Sequence, residues 1–141
     1  MGTPRFRVSV TKQAPLRIQL QPASGKYLEV LEADVGGEVK VGQATRPALS
    51  YPSTIGKGAR MVPVCMTWPL KSATATAISV FSAAPSYPIM TLLSSGLPYM
   101  AKVEFPRHQG IMVGGSDSAI LLFAIGTNTH TLSGGIEWEE I

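Results

Sequence analysis

The chain has 141 residues, 45% of them apolar, yet Asp, Glu, Lys and Arg together make up only 15%, against roughly a quarter in an ordinary soluble domain. A single cysteine excludes an intramolecular disulfide framework, and no run approaches the ~20 apolar residues of a spanning helix. The net charge of +3 hides a segregation, because six basic residues and no acidic one fall between Lys40 and Lys102.

Strand patterns run from end to end. Phe6, Val8 and Val10 alternate with Arg7 and Ser9, the period of a half-buried strand. Leu16, Ile18 and Leu20 repeat it after Pro15. Ser24-Gly25 marks a turn into a strand over 26–33, and Gly36-Gly37 reads as a hairpin turn into Glu38-Val-Lys-Val41. Between Gly42 and Gly58, two prolines and three glycines predict a long surface connection. Met61 to Trp68 is the next strand, and Pro63 inside it argues for an edge position or a bulge.

From Ala73 to Phe81, Thr74, Thr76, Ile78 and Val80 fall at period two, with no cap to start a helix. Pro85 and Pro88 predict a second connection, within a Pro/Gly-rich loop over 82–98. Strands over 89–93, 99–105, 110–113, 118–125 and 129–138 complete the set, with Gly134-Gly135 read as a bulge or tight bend. The apolar run Ala119 to Ile125 has the length of a buried strand. Short strands at this spacing, with no capped helical run, predict an all-β fold. The expectation is one antiparallel β-sandwich domain over 1–141, jelly-roll-like, with extended N- and C-terminal segments.

Convergent chemistry is sparse. His108 and His130 are the only histidines, without the close His-x-His spacing of a cupin-type metal site. Cys65 sits in an apolar run and reads as a buried, inert thiol. Gly56-Lys57-Gly58 lacks the first glycine and the following Ser or Thr of a phosphate loop. Asp117 stands alone, too few oxygens for calcium. Glu137, Glu139 and Glu140 alternate around Trp138, either as solvated strand-edge charges or as an acidic tail for a basic neighbour. The bases are thinly spread, unlike a nucleic-acid footprint with clustered arginines and interleaved aromatics. No enzyme, cofactor, metal, membrane or specific nucleic-acid partner is expected. The polar start, Met1 to Arg7, lacks a signal-peptide core, so synthesis in the cytoplasm of the producing cell is expected.

A free monomer usually keeps a densely charged, mixed-sign surface. A surface of small neutral residues with one-signed charge suits a chain packed against other protein. The stretch from Gly25 through Gly36-Gly37 to Val41, the Gly-rich Ile55-Gly-Lys-Gly-Ala-Arg60 and the Thr/Ala/Val strand Ala73 to Phe81 resemble small β-sandwich virion proteins of bacteriophages. The likeness spans roughly residues 15–82, about half the chain. It implies a cement, decoration, vertex or minor capsid protein, located in the virion, that stabilises the particle by contact with other capsid proteins. The expected form is a homo-oligomer, a trimer, with Arg5–Val10 and Ile136–Ile141 adding strands to adjacent sheets. Arg5, Arg7, Arg46, Lys57 and Arg60 are the expected partner contacts. The alternative is a carbohydrate- or receptor-binding sandwich using Trp68, Tyr51, Tyr87 and Tyr99, each near a proline.

Overall fold

Alternation in sequence becomes alternation in burial. In β1 (Arg5–Gln13) Phe6 and Val8 turn into the core while Arg5 and Arg7 turn out. The computed structural model describes residues 3–13, 15–37, 45–81, 86–95, 99–114, 119–126 and 131–141, and every regular element among them is a strand. After β1 come β2 (Leu16–Gln21), β3 (Leu28–Gly37), β4 (Thr45–Pro52), β5 (Gly58–Met61), β6 (Val64–Cys65) and β7 (Thr76–Val80). Then follow β8 (Ser86–Thr91), β9 (Leu93–Ser95), β10 (Tyr99–Glu104), β11 (Ile111–Val113), β12 (Ile120–Gly126) and β13 (Thr131–Glu140).

The strands form two antiparallel sheets. The first has the order β6-β1-β13-β3-β10-β9, with β11 also on β3, and the second has the order β5-β7-β2-β12-β4-β8. The two four-strand centres are β1-β13-β3-β10 and β2-β12-β4-β8. Numbering those eight strands along the chain gives first-eighth-third-sixth opposite second-seventh-fourth-fifth. That is the strand order of a jelly roll, so the expected sandwich and its jelly-roll character are both observed.

Between the sheets lie Phe6, Val8, Val30, Val35, Leu132, Ile136 and Trp138 from one, and Leu16, Ile18, Leu20, Leu49, Ile120 and Leu122 from the other. The insertion β5 to β7 laces the sandwich along one edge. β5 pairs with β7 in the second sheet, the chain crosses at Val62-Pro63, and β6 pairs with β1 in the first. Pro63 thus sits between two edge strands, where a missing N–H costs no ladder bond.

The second sheet is apolar on its outer side as well. Ile78, Val80 and Leu121 form a small outer cluster with Phe123. The segment after β4 closes over it, with the Gly56 amide donating to Gln19 Oε1 at 2.9 Å. A side chain at Gly56 would press on Val80. This explains the unbroken apolar run of β12, the strand flanked by β2 and β4.

Several expectations are corrected. Gly36 and Gly37 belong to the β3 ladder, opposite Met100 and Tyr99 on one side and Ser133 and Leu132 on the other, so the pair is not the turn itself. The strand expected at Glu38–Val41 lies outside the described residues. The connection expected over 42–58 contains β4, a strand paired on both edges. Its prolines are tolerated because Pro47 precedes the β8 pairing, which starts at Ala48, and Pro52 ends the strand. The loop expected over 82–98 contains β8 and β9, with Pro88 beside a register shift that relieves the ladder.

Gly134 and Gly135 run straight through the ladder, and the irregularity falls at Glu137/Trp138, where Leu31 of β3 has no partner. The glycines answer close approach instead. A Cβ on Gly134 would come within 2.9 Å of Leu16 from the facing sheet, and one on Gly135 within 2.5 Å of the Arg7 guanidinium outside.

Both terminal strands are paired within the chain: β1 with β13 along its length and with β6 at Phe6 and Arg7, and β13 with β1 and β3.

Candidate interaction surface

All seven described acidic residues lie on β3, β10 and β13 of the first sheet. The antiparallel register brings cations opposite them. Arg5 reaches Glu137 at 2.7 Å, and Arg7 bonds Asp34 at 2.8 Å and approaches Glu137 at 3.5 Å. Lys102 bridges Glu32 at 2.9 Å and Glu104 at 2.6 Å. Burial alone would lower the Arg7 pKa, but hydrogen bonding and charge from Asp34, then Glu137 and Glu32, raise it. Glu104, then Glu32, raise that of Lys102, and Lys102 in turn holds Glu104 below the ordinary carboxylate range. Four cations of the same chain, Arg5, Arg7, Lys102 and Arg107, thus hold five of these acids in ion pairs.

A turn after β10 covers part of the outer face of this sheet. Arg107 donates to Glu139 Oε1 at 2.6 and 2.9 Å, and the amides of His108 and Gly110 donate to Glu29 at 3.2 and 2.8 Å. Glu29 and Glu139 are buried as a result. The Glu137/Glu139 alternation therefore serves the chain internally, neither as solvated charge nor as a tail for a neighbour. Removing the cation leaves a buried carboxylate with no countercharge. Arg107→Ala is expected to lower stability by about 2 kcal/mol, with Arg107→Lys recovering part of it, in urea unfolding.

Glu140 ties β13 to the segment that leads into β7. Its carboxylate accepts from the Thr74 hydroxyl at 2.6 Å, the Thr74 amide at 2.8 Å, the Ala75 amide at 3.2 Å and Trp138 Nε1 at 3.2 Å. Burial would push its pKa up, but these donors outweigh it and hold the group below its ordinary value. A depressed folded pKa stabilises above the unfolded value, near 4.5, and that contribution is lost as pH falls through the folded value. Thermal melts from pH 7 to pH 3 should show wild type losing its advantage over Glu140→Gln below about pH 4.5.

The opposite side is different. The strands of the second sheet contain no acid. At its edge, Lys57, Arg60 and Lys71 make no ion pair with any described residue. Between Arg60 and Lys71 the chain exposes Val62, Val64, Met66, Trp68 and Leu70, while Pro63, Cys65 and Thr67 alternate inward. An open groove of about 310 Å³ lies beside them, lined by Arg60 to Pro63 and Ala73 to Ala77.

The five expected contact residues thus divide. Arg5 and Arg7 belong to internal ion pairs. Lys57 and Arg60 are exposed at the β5 edge. Arg46 lies on β4 opposite Ile125, and its side chain is outside the described residues.

Cys65 is half-buried rather than buried; its thiol donates to the Thr67 carbonyl at 3.4 Å and accepts from the Lys71 amide at 3.5 Å. The Lys71 and Thr67 bonds hold its pKa below the ordinary thiol value. Of the aromatics considered for sugar binding, Tyr51 donates to the Met112 carbonyl at 3.3 Å and Trp68 is exposed, while the side chains of Tyr87 and Tyr99 are not described. His130 and Asp117 fall outside the described residues.

From sequence, 61–68 reads as an apolar strand at an edge or a bulge, with Cys65 buried, and the outward side chains over 62–70 are not singled out. The signal was present: an alternating segment with Pro63 and Pro69 and a basic residue at each end is an edge. Comparisons with protein-family models, curated proteins and solved structures find no match.

Proposed function

We propose that this chain is a structural component of a virus particle, a capsid-associated jelly-roll protein of the bacteriophage kind that stabilises the particle through protein–protein contacts. Jelly rolls serve capsids, lectins and cupins alike, so the fold alone does not choose among them. The observation that carries the reading is the asymmetry of the exterior. The acids of the first sheet are held by cations and amides of the same chain, whereas the edge of the second presents apolar side chains flanked by cations without partners among the described residues. Such an edge suits packing against further protein, with Lys57 and Arg60 meeting an acidic lattice.

The test is co-expression with the products of the neighbouring genes, followed by density-gradient sedimentation. The chain is expected to migrate with assembled particles in fixed stoichiometry. Charge reversal at Lys57 and Arg60 should release it and weaken the salt dependence of the contact. A chain that stays at the top of a gradient containing assembled particles, and that instead quenches Trp fluorescence on glycan titration, would replace this reading with the binding module.

A further inference from the structure

We infer that the exposed stripe Val62, Val64, Met66, Trp68 and Leu70 is a self-association surface, through which two copies of this chain meet about a two-fold axis. Val62, Val64 and Met66 leave the sandwich at alternate positions where the chain crosses from β5 to β6, and Trp68 and Leu70 follow in the exposed bend that turns back toward β7. Trp68 is 87% exposed, Val62 86% and Leu70 67%. Up to Thr67 they cannot be spare core, because Pro63, Cys65 and Thr67 between them turn inward and Cys65 and Met61 pack against the core; from Trp68 to Leu70 the chain is exposed throughout.

Size identifies the kind of contact. Taking about 200 Å² for a buried Trp and roughly 100 Å² for each aliphatic side chain, the observed exposures leave on the order of 450 Å² of apolar surface. A standard interface takes about 800 Å² from each partner, and in homodimers about two thirds of it is apolar, roughly 520 Å². The stripe, with Pro63, Pro69 and the stems of Arg60 and Lys71 at its rim, matches one half of such an interface.

Charge placement identifies the occupant. In a two-fold contact the same patch meets itself, so any charge inside it faces its own like. No charged residue stands between Arg60 and Lys71, and both cations flank the stripe at its ends. An anionic membrane surface would call for a cluster of about four to eight Lys or Arg, whereas Lys57, Arg60 and Lys71 are the bases of this segment. Contact is through side-chain faces rather than strand addition, since Pro63 and Pro69 interrupt the row of N–H groups. In place of a trimer, the stripe favours a dimer.

This inference rests on the assembly reading only in expecting association, and sedimentation velocity on the purified full chain separates the two. Wild type is expected to dimerise reversibly. Trp68→Ser should raise the dissociation constant about 30-fold or more, the effect of truncating an aromatic anchor, and Val62→Ser at the end of the stripe should raise it by about 5-fold. Their circular dichroism, and their melting at concentrations where wild type is monomeric, should stay at wild-type values, because both positions are solvent-exposed in the monomer. A dimer that survives both substitutions overturns the stripe as the contact, while particle sedimentation still judges the assembly reading. A chain monomeric at about 100 µM, a hundredfold above a 1 µM affinity, also overturns it. So does flotation of the chain with vesicles containing phosphatidylglycerol and loss of that flotation in Trp68→Ser, which would assign the stripe to a lipid surface.

Discussion

Trp138→Ala is expected to lower the stability of the chain by about 3 to 5 kcal/mol, a large share of the ~5–15 kcal/mol that holds an ordinary domain folded. Trp138 is fully buried in β13 and packs on Phe6 with ring centroids 5.9 Å apart. Its indole N–H also donates to Glu140, the carboxylate that gathers the Thr74 and Ala75 amides. Truncation therefore opens a cavity between the sheets and loosens the link from β13 to the approach of β7. In urea unfolding the midpoint should fall by about 2 M for a slope near 2 kcal/mol per molar. A loss below about 1 kcal/mol would mean that the indole does not fill the centre of the core.

Removal of residues 1–10 is expected to abolish folding, the largest single effect. β1 pairs with β13 from Arg5↔Glu139 to Val10↔Gly134 and anchors β6 at Phe6↔Cys65. Phe6 and Val8 would leave the core, and Glu137 and Asp34 would lose Arg5 and Arg7. The two lost core side chains alone cost at least about 5 kcal/mol, comparable with total stability. The truncated chain should be aggregated or lack a cooperative melt. A soluble, cooperatively folding chain that has lost only its ability to assemble would identify β1 as a donated strand.

The sandwich was legible because local alternation carries it. Phe6/Val8/Val10 and Leu16/Ile18/Leu20 need no knowledge of their neighbours to declare a buried face. Pairing is what sequence conceals. Nothing in Arg7 indicates that Asp34 and Glu137 wait across two different strands, so Arg5 and Arg7 read as free surface charge. Gly134 and Gly135 looked like a bend, since the cause of a small residue is Leu16 in the facing sheet and Arg7 overhead. Leu31 sits as an extra residue in β3, which is why the alternation there breaks after Val30. β4 was hidden by its prolines, which read as loop signals until the register shows that they flank the doubly paired stretch. Of the interaction surface, the acid-free span and its bases Lys57 and Arg60 were visible, but the outward direction of Val62 to Leu70 depends on the crossing from one sheet to the other.

The two exteriors make unequal claims on a neighbour. Ion pairs of the first sheet link β1, β13, β3 and β10, and Arg5, Arg7, Lys102 and Arg107 each have an acid within the chain. The edge carrying residues 57–71 has bases without such acids and apolar side chains in water. Association should therefore bury that edge and leave the charged face as it is.

Amide hydrogen exchange on the full chain, compared between dilute and concentrated solution, tests this most directly. The predicted result is added protection over residues 60–71 on concentration, with exchange on the outer face of β3, β10 and β13 unchanged. Protection that grows over the charged sheet instead, or exchange over 60–71 that is the same at both concentrations, would contradict the account.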